Sequence, residues 1–170
     1  MVKRKIRWII GVVVLAGALW AGWSWYLRNT PEAQMRKVIA ELAACASKMP
    51  GDGGAAAVLK VHGVMELFTD PARIEVAGTM FGGDVTQAQV QSHLARYRSM
   101  MESAHVSLEF EQVTVTGDGS GEVLFTGTLR GRSKRGTEIS EVRDVHCKLV
   151  KNEKGKWQIS HFSARDILEK

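Results

Sequence analysis

The chain has 170 residues, with 23 Lys or Arg against 18 Asp or Glu, a formal +5 at pH 7. Five of those bases and none of the acids fall in residues 1–29, which leaves 18 of each, and no net charge, over residues 30–170. A nucleic-acid face needs a basic stripe on the folded part, so nucleic acid is excluded as a partner. With 45% apolar residues and two cysteines, collagen-like, disordered and disulfide-scaffold classes are excluded too.

Trp8 to Leu27 is an almost unbroken apolar run. At about 1.5 Å per residue it covers the roughly 30 Å hydrocarbon layer of a bilayer, so residues 8–27 are predicted to form a transmembrane helix. Lys3, Arg4, Lys5 and Arg7 precede it and only Arg28 follows closely. The positive-inside rule then places residues 1–7 in the cytoplasm and residues 30–170 outside, in the periplasm of a cell bounded by an inner membrane. Trp20, Trp23, Trp25 and Tyr26 crowd the outer end like aromatic anchors at a headgroup boundary. Ala16-Gly17-Ala18 also fits a signal-peptidase rule. The apolar run continues past it through three tryptophans, longer than a signal core, which favours an uncleaved anchor.

Thr30-Pro31-Glu32 is a helix start, with Thr as N-cap, Pro in the first turn and an acid at the positive dipole end. Met35, Val38, Ile39, Leu42 and Ala46 continue it at helical spacing to about Met49. Pro50-Gly51-Asp52-Gly53-Gly54 breaks the chain before a second helix over 55–68. Asp70-Pro71 ends that helix, Arg73 to Val76 alternates like a short strand, and Phe81 to Asp84 reads as a loop. Thr86 and Gln89 then form a capping box, with Val85 and Val90 at the positions of a hydrophobic staple. Val90, Leu94, Tyr97 and Met101 carry the stripe of this third helix.

From Ser103 the period changes to two. Val106, Leu108 and Phe110 alternate inward, and Val113 and Val115 continue out of phase, so a bulge is expected near Glu111-Gln112. Turns at 117–121, 133–136 and 152–155 separate four long strands. A three-residue loop with Gly155 left-handed pairs Asn152 with Lys156. That register sets Leu149 opposite Ile159, Cys147 opposite His161 and Val145 opposite Ser163. The order of elements predicts an α+β domain, a curved antiparallel sheet wrapped on three helices.

With Met65 to Asp70 leading into a short strand and Gly155-Lys156-Trp157-Gln158-Ile159 opening the last one, the region from Thr30 to Ala164 resembles the nuclear transport factor two-like superfamily, and within it the SnoaL-like proteins. The resemblance implies a cystatin-like cone with a pocket at its open end. It implies either an interaction module, with pairing into homodimers through the outer sheet face, or a pocket protein. One span followed by such a domain is also similar in layout to bitopic inner-membrane components of type IV secretion systems.

Pocket enzymes of that superfamily use an Asp or His base in an apolar cone, where burial moves its pKa toward neutrality. His161 is the candidate base, with Arg143 and Glu141 on the inward set of Val145, Cys147 and Leu149. The competing reading makes Glu141 and Arg143 a rim ion pair and His161 a structural residue. Asp144 and His146 share the other face but are too few for a metal site, and His62, His93 and His105 lie on separate elements. Cys45 and Cys147 could meet as a disulfide in an exported domain, or stay buried thiols. Arg130, Arg132, Lys134 and Arg135 form a basic cluster at a hairpin, either a solvated loop or a surface for lipid headgroups or an acidic partner. No phosphate loop, nucleophile elbow, metalloprotease helix or CxxC pair occurs, and no cofactor or metal is implied. The sequence therefore leans to a membrane-anchored, non-catalytic interaction or assembly module of a bacterial-type cell envelope. The alternative is a SnoaL-like protein that binds or isomerises a small hydrophobic molecule.

Overall fold

The computed structural model describes residues 30–78, 82–117 and 119–167. The apolar run at 8–27 and the basic N-terminus lie outside the described residues. Among those described, no helix is long and apolar enough to cross a membrane. The chain divides into two compact units, Met1–Gln34 and Met35–Lys170, and the buried core belongs to the second.

Helix α1 (Pro31–Ala46) starts as its cap predicts, with Thr30 Oγ1 accepting from the Ala33 N–H at 3.3 Å. It ends three residues earlier than the periodicity suggests, because Lys48 leaves the helix to bridge Ala104 through two backbone bonds of 2.7 and 2.8 Å. Met35, Ile39 and Ala43 form its buried stripe. Met35 seats closely because Gly121 has no side chain: a Cβ there would stand 2.5 Å from Met35 Sδ. Helix α2 spans Gly54–Glu66 and α3 spans Gln87–Met100. At α3 the capping box is complete. The Gln89 N–H donates to Thr86 Oγ1 at 3.3 Å and the Thr86 N–H to Gln89 Oε1 at 2.8 Å, while Val85 and Val90 are both buried.

Six strands follow in one sheet: β1 (Phe68–Val76), β2 (Gly82–Val85), β3 (Met101–Gly117), β4 (Ser120–Ser133), β5 (Glu138–Lys151) and β6 (Trp157–Asp166). Their spatial order is β2-β1-β6-β5-β4-β3. The four long strands pair as consecutive hairpins, and the bulge expected near Glu111-Gln112 is present, where the register steps from Phe110–Phe125 to Gln112–Leu124. The last hairpin has the expected three-residue loop. Asn152 N–H donates to Lys156 C=O at 2.9 Å, and Gly155 takes φ +73°, a left-handed conformation that Gly adopts without strain.

Three expectations are corrected. The sheet is mixed rather than antiparallel, because β1 lies parallel to β6, a pairing of elements far apart in sequence that no hairpin pattern reveals. Strand β1 begins at Phe68 and runs through the cis Asp70-Pro71 peptide, the register shifting between Phe68 and Arg73 around a proline that has no N–H to give. Residues 82–84, part of the stretch 81–84 expected as loop, form β2 together with Val85 on the antiparallel edge of β1.

Candidate functional site

The concave side of the sheet is not filled. Between α1, α3 and the inner faces of β4, β5 and β6 lies a cavity of about 450 Å³. Leu42 and Ala46 of α1, Phe125 and Leu129 of β4, Val145 of β5 and Phe162 of β6 give it an almost wholly apolar wall. Helical spacing on α3 turns Val90, His93, Leu94 and Tyr97 toward it. Glu141 and Arg143, placed inward by the alternation of β5, complete the lining, and exposed His93 and Glu141 mark the mouth.

Tyr97 is a polar residue of the lining. Its Oη is buried and has no hydrogen-bond partner among the described residues. Burial raises its pKa, opposed by the charge of Arg98 and reinforced by that of Glu141, so the phenol stays neutral and can donate. Arg143 is held instead by protein: its Nη1 donates to Ala77 C=O at 2.9 Å and lies 3.4 Å from Asp166 Oδ1, and its Nε lies 3.3 Å from Glu141 Oε2. Two carboxylates thus flank the one cation at the rim.

His161 is not among the lining residues. Leu149 faces Ile159 as expected, but Ser160 is an extra residue, with its hydroxyl donating to Lys148 C=O at 3.2 Å. Beyond it the register moves by one, so Cys147 faces Phe162 and Val145 faces Ala164, not His161 and Ser163. Phe162 takes the cavity position, while His161 pairs with Lys148 and Arg73 and sets its Nε2 3.7 Å from Glu75 Oε2. The carboxyl of Glu75 is held below its usual range by Arg73 first, and by His161 to a lesser degree. Strand β5 brings Glu141 and Arg143 together at the cavity, and the bulge separates His161 from both.

Cys45 and Cys147 stand as free thiols in the structure. Cys147 is fully buried in mid-strand between Val123 and Phe162, and Cys45 sits in the last turn of α1. Burial pushes both thiols up, so neither is a ready thiolate. Asp144 lies 3.3 Å from Thr126 Oγ1 and His146 3.1 Å from Glu122 Oε2. Among the described residues no three His, Cys, Asp or Glu side chains gather as a metal site would need.

The sequence reading missed the role of Tyr97 and His93, although Val90-x-x-His93-Leu94-x-x-Tyr97 carries the helical spacing that puts them on one face. It also missed Arg98, which is only 4% exposed. Arg98 Nη1 donates to the carbonyls of Cys45, at 2.7 Å, and Ser47, and Nη2 to Asp52 Oδ2 at 2.8 Å. Lys48 answers by donating to Arg98 C=O and Met101 C=O at 2.9 and 2.7 Å. The end of α1 is thereby capped by a cation of α3, and the end of α3 by Lys48, two residues past α1.

No family model matches the chain, and no curated protein matches it. Solved structures do. A ketosteroid isomerase-like protein from Erwinia carotovora atroseptica superposes with TM-score 0.63 at 15% identity, over 82% of this chain and 98% of that one. An NTF2-like protein with a cystatin-like fold from Novosphingobium aromaticivorans superposes with TM-score 0.61 at 13% identity, over 88% and 89%. The likeness establishes the fold alone: a cystatin-like architecture like that of the NTF2-like protein, with a curved mixed sheet on three helices.

Proposed function

We propose that this domain binds a small, neutral, mostly apolar molecule, and that residues 8–27 hold it at a membrane. The observation that carries the first part is the unfilled interior of about 450 Å³ with one buried, unpartnered hydroxyl, that of Tyr97. A domain used only for assembly gains nothing from such a space, since empty apolar volume costs stability. Binding suits it better than catalysis, because the ionisable groups at the cavity either sit at the exposed mouth or are held in ion pairs. The rim, with two carboxylates about one guanidinium, does not favour an anion. An apolar body with one carbonyl or hydroxyl oxygen for Tyr97 meets both conditions.

The test is thermal unfolding of the full chain with a panel of small apolar ketones, phenols and matched hydrocarbons, repeated on Tyr97→Phe. Removing an unpaired buried hydroxyl should stabilise the free domain by about 1 kcal/mol and raise its Tm by about 3 °C. The same change should weaken a bound ketone about fivefold and leave a hydrocarbon unaffected. If no compound raises the Tm of the native chain at saturating concentration, and no small molecule is released when the purified protein is denatured, the binding reading is wrong.

The anchor has its own check. Alkaline carbonate should leave the chain in vesicles with its N-terminal sequence intact; mature protein beginning after Ala18 and washed free would identify a signal peptide instead.

A further inference from the structure

Six large hydrophobic side chains stand exposed among the described residues, four of them being Met49 (75%), Val58, Leu59 (71%) and Met100 (54%). Interactions already described join the segments that carry them. Arg98 ties the end of α3 to the end of α1 and to Asp52, just before α2, and Lys60 of α2 reaches the same Asp52 carboxylate at 3.0 Å. Val58 and Leu59 lie in the second turn of α2. The Lys134 N–H donates to Met100 C=O at 2.9 Å, which lays the β4–β5 hairpin against the end of α3. That hairpin carries the basic cluster of exposed Arg130, Arg132, Lys134 and Arg135, of which Arg132 is paired with Glu138 at 2.9 Å. The domain is neutral overall, so an excess of positive charge here is local.

We propose that the surface where α1 and α3 end beside this hairpin lies on a bilayer of anionic lipids, with Met49 and Met100 entering the headgroup boundary and Lys134 and Arg135 meeting lipid phosphates. Exposed unbranched methionines are suited to a disordered apolar phase, and long basic side chains keep their charge in water while their stems lie along it. Basic residues beside apolar side chains are the composition that peripheral membrane surfaces use, since the anionic surface potential draws in what apolar insertion retains. An acidic protein groove would match the charge but leave the exposed apolar side chains beside the basic cluster in water. The surface is separate from the cavity and does not depend on what the cavity holds.

Methionine oxidation reports on it without any substitution. The full chain is reconstituted into vesicles of phosphatidylcholine alone, or with a third of phosphatidylglycerol, and treated with hydrogen peroxide; oxidation at each methionine is then read by mass spectrometry. Oxidation of Met49 and Met100 should slow roughly tenfold in the anionic vesicles relative to the neutral ones. The difference should vanish in 1 M salt, where screening shortens to about 3 Å. It should vanish as well in K134E/R135E, whose changes are at exposed turn positions. The predicted span is identical in both vesicle types, so it cannot produce the difference. Equal rates in the two lipids would overturn the proposal. So would protection that follows protein concentration and not lipid charge, which would assign the surface to a second copy of the chain.

Discussion

Replacing Arg98 by Met should destabilise the domain by about 3 kcal/mol, the largest loss expected from a single side chain outside the apolar core. Met keeps much of the apolar stem, so packing changes little and the loss comes from the guanidinium. Without it the carbonyls of Cys45 and Ser47, at the open end of α1, lose their donor in a buried place. Asp52 fares better, because Lys60 still reaches it. Lys at this position should recover only part of the loss, since a single ammonium cannot reach two carbonyls and a carboxylate in the planar fork that Arg supplies. The acid side of the stability curve offers a second readout. The carboxyl of Asp52 is held below its usual range by the hydrogen bond from Lys60 first and that from Arg98 second. A depressed folded pKa contributes stability at pH values above the ordinary carboxylate range near 4, and that contribution is lost as pH falls through the lowered value. In Arg98→Met the acid-side slope should therefore be shallower as well as the curve lower. Urea unfolding followed by circular dichroism at several pH values measures both. A loss under about 1 kcal/mol at neutral pH, with the acid slope unchanged, would show that Arg98 is not the clip between these helices.

What the sequence discloses and what it hides divide along a physical line. The capping box of Thr86 and Gln89, the bulge at Glu111-Gln112, the left-handed Gly155 and the pairing of Leu149 with Ile159 are set by neighbours within a few residues, and each is legible. The parallel seam between β1 and β6 joins residues some ninety positions apart and leaves no local trace. A single inserted residue, Ser160, has the largest consequence for the site. Because side chains alternate with period two, the slip exchanges His161 for Phe162 at the cavity and removes the expected base. Glu141 and Arg143 lie upstream on β5, untouched by the slip, and they do reach the cavity. Arg98 shows the converse limit: it stands beside the apolar stripe of α3, four residues after Leu94, but the carbonyls and carboxylate it meets at and after the end of α1 are some fifty positions away in sequence.

Gly127→Leu should close the cavity and abolish ligand stabilisation while the domain still folds. Gly127 sits in mid-strand on β4, opposite Leu108 on one side and Arg143 on the other, and lines the cavity floor. A Cβ placed there meets only Phe125 Cε2 and Val145 Cγ2, both at 3.8 Å, which is ordinary contact. The first added carbon therefore fits, and the rest of a Leu side chain extends into open apolar space. Glycine in a strand interior weakens the strand, so Gly127→Ala should raise stability by about 0.5–1 kcal/mol and leave binding nearly intact. Gly127→Leu should be no less stable than the native chain, yet lose the ligand-induced rise in Tm, a drop in affinity of at least about tenfold. The pair separates two accounts of the residue. If the interior is only imperfect packing, both substitutions stabilise and nothing else changes. If it is a binding space, the larger one stabilises the fold and silences it, and a glycine that weakens its own strand is explained by the volume it keeps open.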